Sequence, residues 1–142
     1  MRNDIVIEEL NTLLRGNYMG IRSLEHYIGK TDDISLKSFF QDMQNETKQS
    51  AQRIAERIQN LGGVPADDEG VSGSMHSFMH KIMTPNDPKK IIEDALYGID
   101  NYGVHYSEEV AKGDLDPESQ QIVEEVIDTN RRHADQLRHL LH

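Results

Sequence analysis

Residues 62–88, GGVPADDEGVSGSMHSFMHKIMTPNDP, divide the chain into two halves and decide how its helices are connected. Gly62-Gly63 ends one helical pattern. Asp87-Pro88 is typical of the start of another, because the carboxylate caps free N–H groups and proline fills the first helical position. With about 25 residues this link can run the length of a helical bundle, whereas the other connections are short. We therefore expect the helices on its two sides to run parallel.

Each half contains two amphipathic helical patterns, in which apolar residues recur at spacings of three and four. The first spans residues 3–28, Ser35 offers a cap for the second, and Asp116-Pro117 starts the fourth. The apolar face of the third consists of Ile92, Ala95, Ile99, Tyr102, Tyr106 and Val110. The sequence shows no β-strand alternation. It predicts an all-α, up-down-down-up four-helix bundle with ferritin-like connectivity, whose helix 2 to helix 3 crossover contains a short helix at about residues 74–83.

The composition fits a single domain over residues 1–142 and argues against several classes of function. The chain has no cysteine, which excludes thiol nucleophiles, disulfides, iron–sulfur clusters and cysteine zinc sites. A net charge of −10 opposes phosphate backbones and anionic membranes, so we expect neither nucleic-acid nor membrane partners. The N-terminus, MRNDIVIEELNTLL, carries acids where a secretory signal needs an apolar core. A cytoplasmic location fits best.

The ferritin-like connectivity makes a metal centre in the bundle core the first function to test. A di-iron centre in this fold needs an inward Glu on helices 1 and 3 and a Glu-x-x-His pair on helices 2 and 4. No histidine of this chain has Glu three residues before it. The residues at that spacing are Ser23, Gly73, Ser77, Tyr102, Asn130, Gln136 and His139. We therefore expect the chain to lack a complete di-iron site.

Polar residues still occupy the corresponding mid-bundle positions. They are Asn17 or Tyr18 on helix 1, Glu46 and Gln49 on helix 2, Tyr102 on helix 3, and Asn130 and His133 on helix 4. Neutral amides replace carboxylates poorly, because two divalent ions need anions to neutralise them. Three interpretations stay open: a degenerate, hydrogen-bonded polar layer, one transition metal ion held by Glu46 and His133, or simple solvent exposure.

The crossover offers a second candidate metal site. Met75, Met79 and Met83 recur at spacings of four, and so do His76 and His80. Thioether and imidazole groups together suit a soft metal such as copper. The same pattern is more often an apolar cover laid across a bundle, so both interpretations stay open.

Helix 1 contains Gly16 and Gly20 and helix 3 contains Gly98 and Gly103, although glycine destabilises a helix interior by about 1 kcal/mol relative to alanine. In the predicted topology these glycines lie at one level of the bundle. They indicate a close approach of the two helices, or space for the Tyr18 and Tyr102 rings, or a slot for a small ligand.

Four segments of the chain resemble a known protein family. They are SLKSFFQDMQNE in helix 2, IQNLGGVPADDEGVSGSMH at the start of the crossover, IIEDALYGIDNYGVHYSEEV in helix 3 and NRRHADQL in helix 4. Through them the chain resembles the bacterial ferritin-like four-helix-bundle family of unknown function, which is related to rubrerythrin-type and stress-associated ferritin-like proteins. The resemblance implies a ferritin-like fold and self-association. It also implies that His76 and His133 are the family's recurring histidines and Glu93 its helix-3 acid, while Asp100 stands where similar proteins often have Glu.

Three functions are compatible with these features. The first is a non-catalytic, homo-oligomeric ferritin-like bundle with a stress-associated or accessory role. The second is a metal-binding oxidoreductase or metal-storage protein that uses Glu46 and His133 together with His105 or Asp100. The third is a helical docking module that recognises another protein.

Overall fold

The first two helices, α1 (Arg2–Lys30) and α2 (Ile34–Asn60), pack against one another along their lengths. The computed structural model describes residues 2–68, 87–111, 113 and 115–142. Within these ranges there is no strand, which confirms the predicted all-α fold. No helix in the described ranges is long and apolar enough to cross a membrane.

The third bundle helix is built from three consecutive segments. These are α3 (Pro88–Gly98), a π-helical segment (Ile99–His105) and α4 (Tyr106–Ala111). The last bundle helix, α5 (Pro117–Leu141), packs against all three of these segments and against α2. Each of the four bundle helices therefore has two neighbours, as the predicted topology requires.

Aspartate side chains cap the starts of α2, α3 and α5. The prediction that Ser35 caps α2 is wrong. Asp33 takes this role, because its carboxylate accepts a hydrogen bond from the Leu36 N–H at 2.9 Å, which leaves Ser35 exposed inside the first turn. Asp87 and Asp116 cap α3 and α5 as predicted, each followed by proline in the first turn.

Two apolar clusters, one toward each end of the bundle, show the direction of every helix. The first cluster includes Leu24, Phe40, Ile91 and Leu137. The second includes Leu10, Ile54 and Val123. The late part of α1 thus meets the early parts of α2 and α3 and the late part of α5. Helices α1 and α5 run one way and α2 and α3 the other, which confirms the up-down-down-up topology.

The ends of the crossover also lie at opposite ends of the bundle. Ile58, near the end of α2, belongs to the second cluster, whereas Ile91, in the first turns of α3, belongs to the first. The connection between them therefore has to span the bundle length, as its number of residues predicts. The short helix expected at residues 74–83 lies outside the described residues.

Arg57 joins the end of α2 to the start of α5. Its guanidinium donates hydrogen bonds to Ser119 Oγ at 3.0 Å and to Asp116 at 2.7 Å, and it pairs with Glu118 at 2.7 Å. Burial alone would raise the pKa of the Asp116 carboxyl, but the hydrogen bonds from Ser119 and Arg57 lower it below its usual value. Because the Arg57 side chain is only 13% exposed, solvent screens this network less than an ordinary surface ion pair.

A glycine in the left-handed region follows the end of α2. Gly62 has a φ of +87°, and the N–H of Gly63 donates to the Ile58 carbonyl at 2.9 Å. A Cβ on Gly63 would lie 2.8 Å from Cγ2 of Ile7, so this turn packs tightly against α1. The glycine pair therefore does more than end a helix, because it also lets the chain turn close to α1.

Replacing Gly62 with alanine should lower the free energy of unfolding by about 1–2 kcal/mol, because a left-handed backbone conformation brings Cβ against the following carbonyl. No atom lies within 4 Å of a Cβ at Gly62, so backbone strain is the expected cause. Gly29→Ala is the matched control: Gly29 has equally open surroundings but lies within α1, and alanine there should raise stability by up to about 1 kcal/mol. Urea unfolding followed by circular dichroism measures both changes. Equal effects of the two substitutions would contradict the strained turn.

Candidate functional site at the middle of the bundle

A cavity of about 50 Å³ lies halfway along the bundle. Its lining includes the four glycines that the topology places at one level: Gly16, Gly20, Gly98 and Gly103. It also includes polar side chains from three bundle helices, namely Asn17, Thr47, Asn130 and His133. The glycines therefore line an open space, next to Tyr102, and a ligand in this space stays a prediction.

The glycines of α1 leave this space open rather than bringing two backbones into contact. A Cβ on Gly16 would have no atom within 4 Å, and a Cβ on Gly20 would meet only Cγ2 of Thr47, on α2, at 3.8 Å. The close approach of helices 1 and 3 expected at these two glycines is therefore not found. A tight approach occurs instead at Gly103, where a Cβ would lie 3.2 Å from Cγ of Asn130 on α5.

The π-helical segment is held against α5 by this asparagine. Asn130 Nδ2 donates a hydrogen bond to the Gly103 carbonyl at 2.8 Å, and the Tyr106 N–H donates to the carbonyl of Asn101, five residues earlier. A π-helical turn contains more residues than an α-helical turn, and such turns are frequent at functional sites. The segment therefore sets the shape of the cavity wall opposite α1.

The π-helical segment also changes which residues face the core. The sequence predicts Tyr106 on the apolar face of helix 3, but its side chain is 41% exposed, whereas Val104 and Ser107 are buried. The prediction for Tyr106 is wrong because the wider turn holds one more residue after Tyr102. Ser107 therefore takes the core-facing position that a regular α-helix would give to Tyr106. The spacing from Tyr102 to Tyr106 is equally compatible with a regular α-helix, so the sequence pattern alone does not reveal the shift.

Glu46 and His133 lie in contact at the same level of the bundle. His133 Nε2 is 3.2 Å from Glu46 Oε1, and the His133 side chain is 1% exposed. The other oxygen of the same carboxylate, Glu46 Oε2, accepts a hydrogen bond from Nη2 of Arg132 at 2.6 Å. Two consecutive residues of α5 thus bind one carboxylate of α2. The sequence analysis identified Glu46 and His133 but missed Arg132.

The protonation states of these groups follow from their surroundings. Burial lowers the pKa of His133, although the hydrogen bond with Glu46 opposes this. The hydrogen bond from Arg132 holds the pKa of Glu46 below its usual value, against the effect of burial. Because a carboxylate only accepts hydrogen bonds, Nε2 of the neutral His133 carries the proton.

This donor set does not fit a di-iron centre. Two amides stand at mid-bundle positions, and their Nδ2 groups bond within the protein: Asn17 donates to the Leu13 carbonyl at 3.0 Å and Asn130 to Gly103. In the parts of the chain that the structure describes, no three His, Asp or Glu side chains converge in a way that could hold a metal ion. Two iron ions need several such carboxylates to bridge and neutralise them.

A single transition metal ion at Glu46 and His133 stays a prediction. The structure brings these two donors together, but Arg132 already binds the carboxylate, and Gln49, one turn along α2, is exposed. A four-coordinate ion would need two further donors.

The other candidate ligands lie apart from this pair. His105 is exposed, and Asp100 is paired with Arg138 of α5. His76 and His80, the candidate ligands of the crossover, lie outside the described residues. The structure therefore does not assemble His105 or Asp100 with Glu46 and His133.

Tyr27 is a cavity residue that the sequence analysis missed. Its side chain lines the cavity and is 1% exposed, and its ring packs against Phe40 with centroids 5.7 Å apart. Its position three residues after Leu24 fits the buried face of α1, so its burial could have been found from spacing. The surroundings of its hydroxyl could not have been predicted from spacing, because they depend on which residues the other helices bring near it.

Protein stability should fall as the pH is lowered from about 7.5 to about 5.5. The folded pKa of His133 lies below the unfolded value of 6.5, so in this range the unfolded chain binds more protons. The resulting slope is at most about 1.4 kcal/mol per pH unit for one such group. Chemical denaturation at several pH values measures it. His133→Gln should reduce the slope and leave the part that comes from His26, whose pKa burial also lowers. The control His139→Gln alters an exposed histidine of the same helix and should keep the slope. Equal slopes for His133→Gln and the unsubstituted protein would contradict this assignment.

Solved ferritin-like structures share this arrangement of helices. A mutant of Dps1 from Mycobacterium smegmatis is 16% identical, with a TM-score of 0.82, and the match covers 99% of this chain and 97% of that chain. A bacterioferritin-related protein from Bacteroides fragilis, described as a dodecameric thioferritin, is 18% identical over 98% and 85% of the two chains, with a TM-score of 0.78. Proteins from Bacillus anthracis described as ferritin-like and diiron-carboxylate are 22% identical over 100% and 99%, with a TM-score of 0.76. At these identities the likeness shows the fold alone, which is ferritin-like.

Comparison with curated protein sequences gives no match. A family model described as a domain of unknown function (DUF2383) matches residues 5–112. This range includes α1 from residue 5 onward, α2 and the third bundle helix, and therefore all four glycines of the cavity. Because the match extends over well more than half of the sequence, this ferritin-like chain belongs to the DUF2383 family.

Proposed function

We propose that this protein is a non-catalytic ferritin-like bundle that works by binding and self-association, in a stress-associated or accessory role, rather than by oxidising iron. The observation that carries the proposal is the pair of contacts that the Glu46 carboxylate makes with α5. Its two oxygens are shared between the guanidinium of Arg132 and the imidazole of His133. A side chain of the protein thus supplies the positive charge that a metal ion would supply in a di-iron bundle.

The balance of charge at mid-bundle supports this proposal. Two divalent cations beside Arg132 would gather several positive charges around one carboxylate, while Asn17 and Asn130 contribute no negative charge. Releasing Arg132 from Glu46 would also break a hydrogen-bonded ion pair. The hydrogen-bonded polar layer predicted from the sequence therefore accounts for these residues better than iron chemistry does.

A second candidate function is a metal-binding oxidoreductase or metal-storage protein with one ion at Glu46 and His133. The 3.2 Å contact between Glu46 Oε1 and His133 Nε2 favours it, because both atoms could face one cation. The nearby Arg132 opposes it. The third predicted function, a helical module that docks on another protein, has no specific contact in its favour.

Self-association is the part of the proposal that can be tested most directly. The Bacteroides fragilis protein is described as dodecameric, and this chain has large apolar side chains at its surface, with Ile34 84% and Val64 82% exposed. Contact between copies would remove such groups from water. Sedimentation velocity should give a mass several times the 16.2 kDa of one chain. A monomer at all concentrations tested would remove self-association from the proposed function.

Anaerobic iron(II) titration followed by oxygen should show no saturable iron oxidation above that of buffer, because the mid-bundle donors do not fit two iron ions. The protein should be purified without a histidine tag, so that any metal it retains reflects its own ligands. The double variant Glu46→Ala, His133→Ala is the control and should behave like the unsubstituted protein.

The alternatives give different results in the same experiment. Binding and oxidation of about two irons per chain, lost in the double variant, would replace the proposal with an iron-oxidising enzyme. Saturable binding of one ion per chain without oxidation, also lost in the double variant, would favour a single-metal protein.

A further inference from the structure

Tyr27, which lines the mid-bundle cavity, has a buried hydroxyl group that the proposed function does not use. Tyr27 lines the cavity and is 1% exposed, and among the described residues its hydroxyl has no hydrogen-bond partner. A buried hydroxyl without a partner destabilises a protein, and such groups are normally satisfied by water or by a ligand. The Tyr27 hydroxyl therefore marks a place where a molecule that accepts a hydrogen bond would be stabilised.

The cavity that Tyr27 lines is larger than helix packing requires. A methyl group on Gly16 would have no atom within 4 Å, so alanine would fit without a clash and would favour the helix. On the opposite wall, Gly98 and Gly103 also lack side chains. Packing and helix stability therefore do not account for glycine at Gly16, whereas keeping the cavity open does.

The cavity reaches toward the surface on one side. Gly16 and Gly20 of α1 and Gly103 of the π-helical segment are each partly exposed. These three residues line the cavity, so it approaches solvent between α1 and the third bundle helix. A small molecule could enter there without separation of the two apolar clusters.

The chemistry of the lining favours an uncharged occupant. Its described residues include no Asp, Glu, Lys or Arg. Burial lowers the pKa of His133, which keeps the imidazole neutral at neutral pH. Burial and the nearby Asp94 raise the pKa of Tyr27, so its hydroxyl stays protonated and can donate. An ionic ligand would lose its hydration here without gaining an opposite charge from the residues that line the cavity.

The size of the cavity limits the ligand to a few atoms. Its volume of about 50 Å³ is well below the roughly 150 Å³ of an engineered protein cavity that binds benzene. Apolar side chains such as Met19, Leu24 and Ala95 form part of the wall, beside the polar groups. We propose that this cavity binds a small uncharged molecule of the short ketone, alcohol or amide class, whose oxygen accepts a hydrogen bond from Tyr27.

The proposal rests on the binding role proposed above, and three probes of nearly the same shape test it. Acetone, acetamide and acetate differ mainly in polarity and charge. Ligand-observed saturation-transfer NMR on the full chain should show saturable binding of acetone and acetamide, with acetate bound at least about tenfold more weakly because its charge has no partner. Absence of saturable acetone and acetamide binding, or acetate binding of equal strength, would overturn the proposal.

Matched variants locate the binding. Gly20→Ala should weaken acetone binding at least about tenfold by filling space, because Gly20 lines the same cavity and lies only about two helical turns from Tyr27. Gly29→Ala, on the same helix and without close neighbours, should leave binding unchanged. Tyr27→Phe should weaken binding about tenfold, as expected for the loss of one buried hydrogen bond, while leaving the unliganded protein at least as stable. Unchanged binding in Gly20→Ala or in Tyr27→Phe would overturn the assignment. These probes contain no metal, so their outcome is independent of the iron titration that tests the proposed function.

Discussion

Apolar packing at both ends of the bundle fixes the register of the four helices, and everything at mid-bundle depends on that register. Phe40 and Leu137 pack in the first cluster, and Ile54 and Val123 in the second. Sliding any one helix would expose apolar surface at both ends. The layer between the clusters can therefore contain residues that contribute little to packing, such as glycines and amides. The ends hold the molecule together, and the middle is left free for polar chemistry.

The electrostatics of that middle layer come from two neighbouring residues of α5. Arg132 is 51% exposed and His133 is 1% exposed, yet both reach Glu46 of α2. The long arginine side chain reaches the carboxylate from the surface, while the imidazole reaches it from the core. The buried histidine thus faces a carboxylate that is already neutralised, and the layer needs no further cation for charge balance.

Connection lengths and capping aspartates were enough to predict the topology, because loop length restricts which helices can be neighbours. The predicted helix directions also placed Glu46 and His133 at one level of the bundle. The role of Arg132 could not be found this way, since it depends on the reach of a side chain that points away from the core. The hydroxyl of Tyr27 is a similar case: its burial follows from spacing, but the absence of a partner among the described residues depends on all the surrounding helices at once.

The π-helical segment shows how a bundle helix can hold one added residue without changing the faces that its flanking parts present. A π turn is equivalent to one residue added to an α-helix, so deletion of a single residue within Ile99–His105 would restore a regular helix. The residues that follow would keep the faces they now present, because the wider turn takes up the added residue. Ser107 would stay on the cavity wall and Tyr106 would stay outside the core, while the wall opposite α1 would narrow to the width of an α-helix. One codon thus separates a bundle whose third helix widens beside the cavity from one whose third helix is regular throughout.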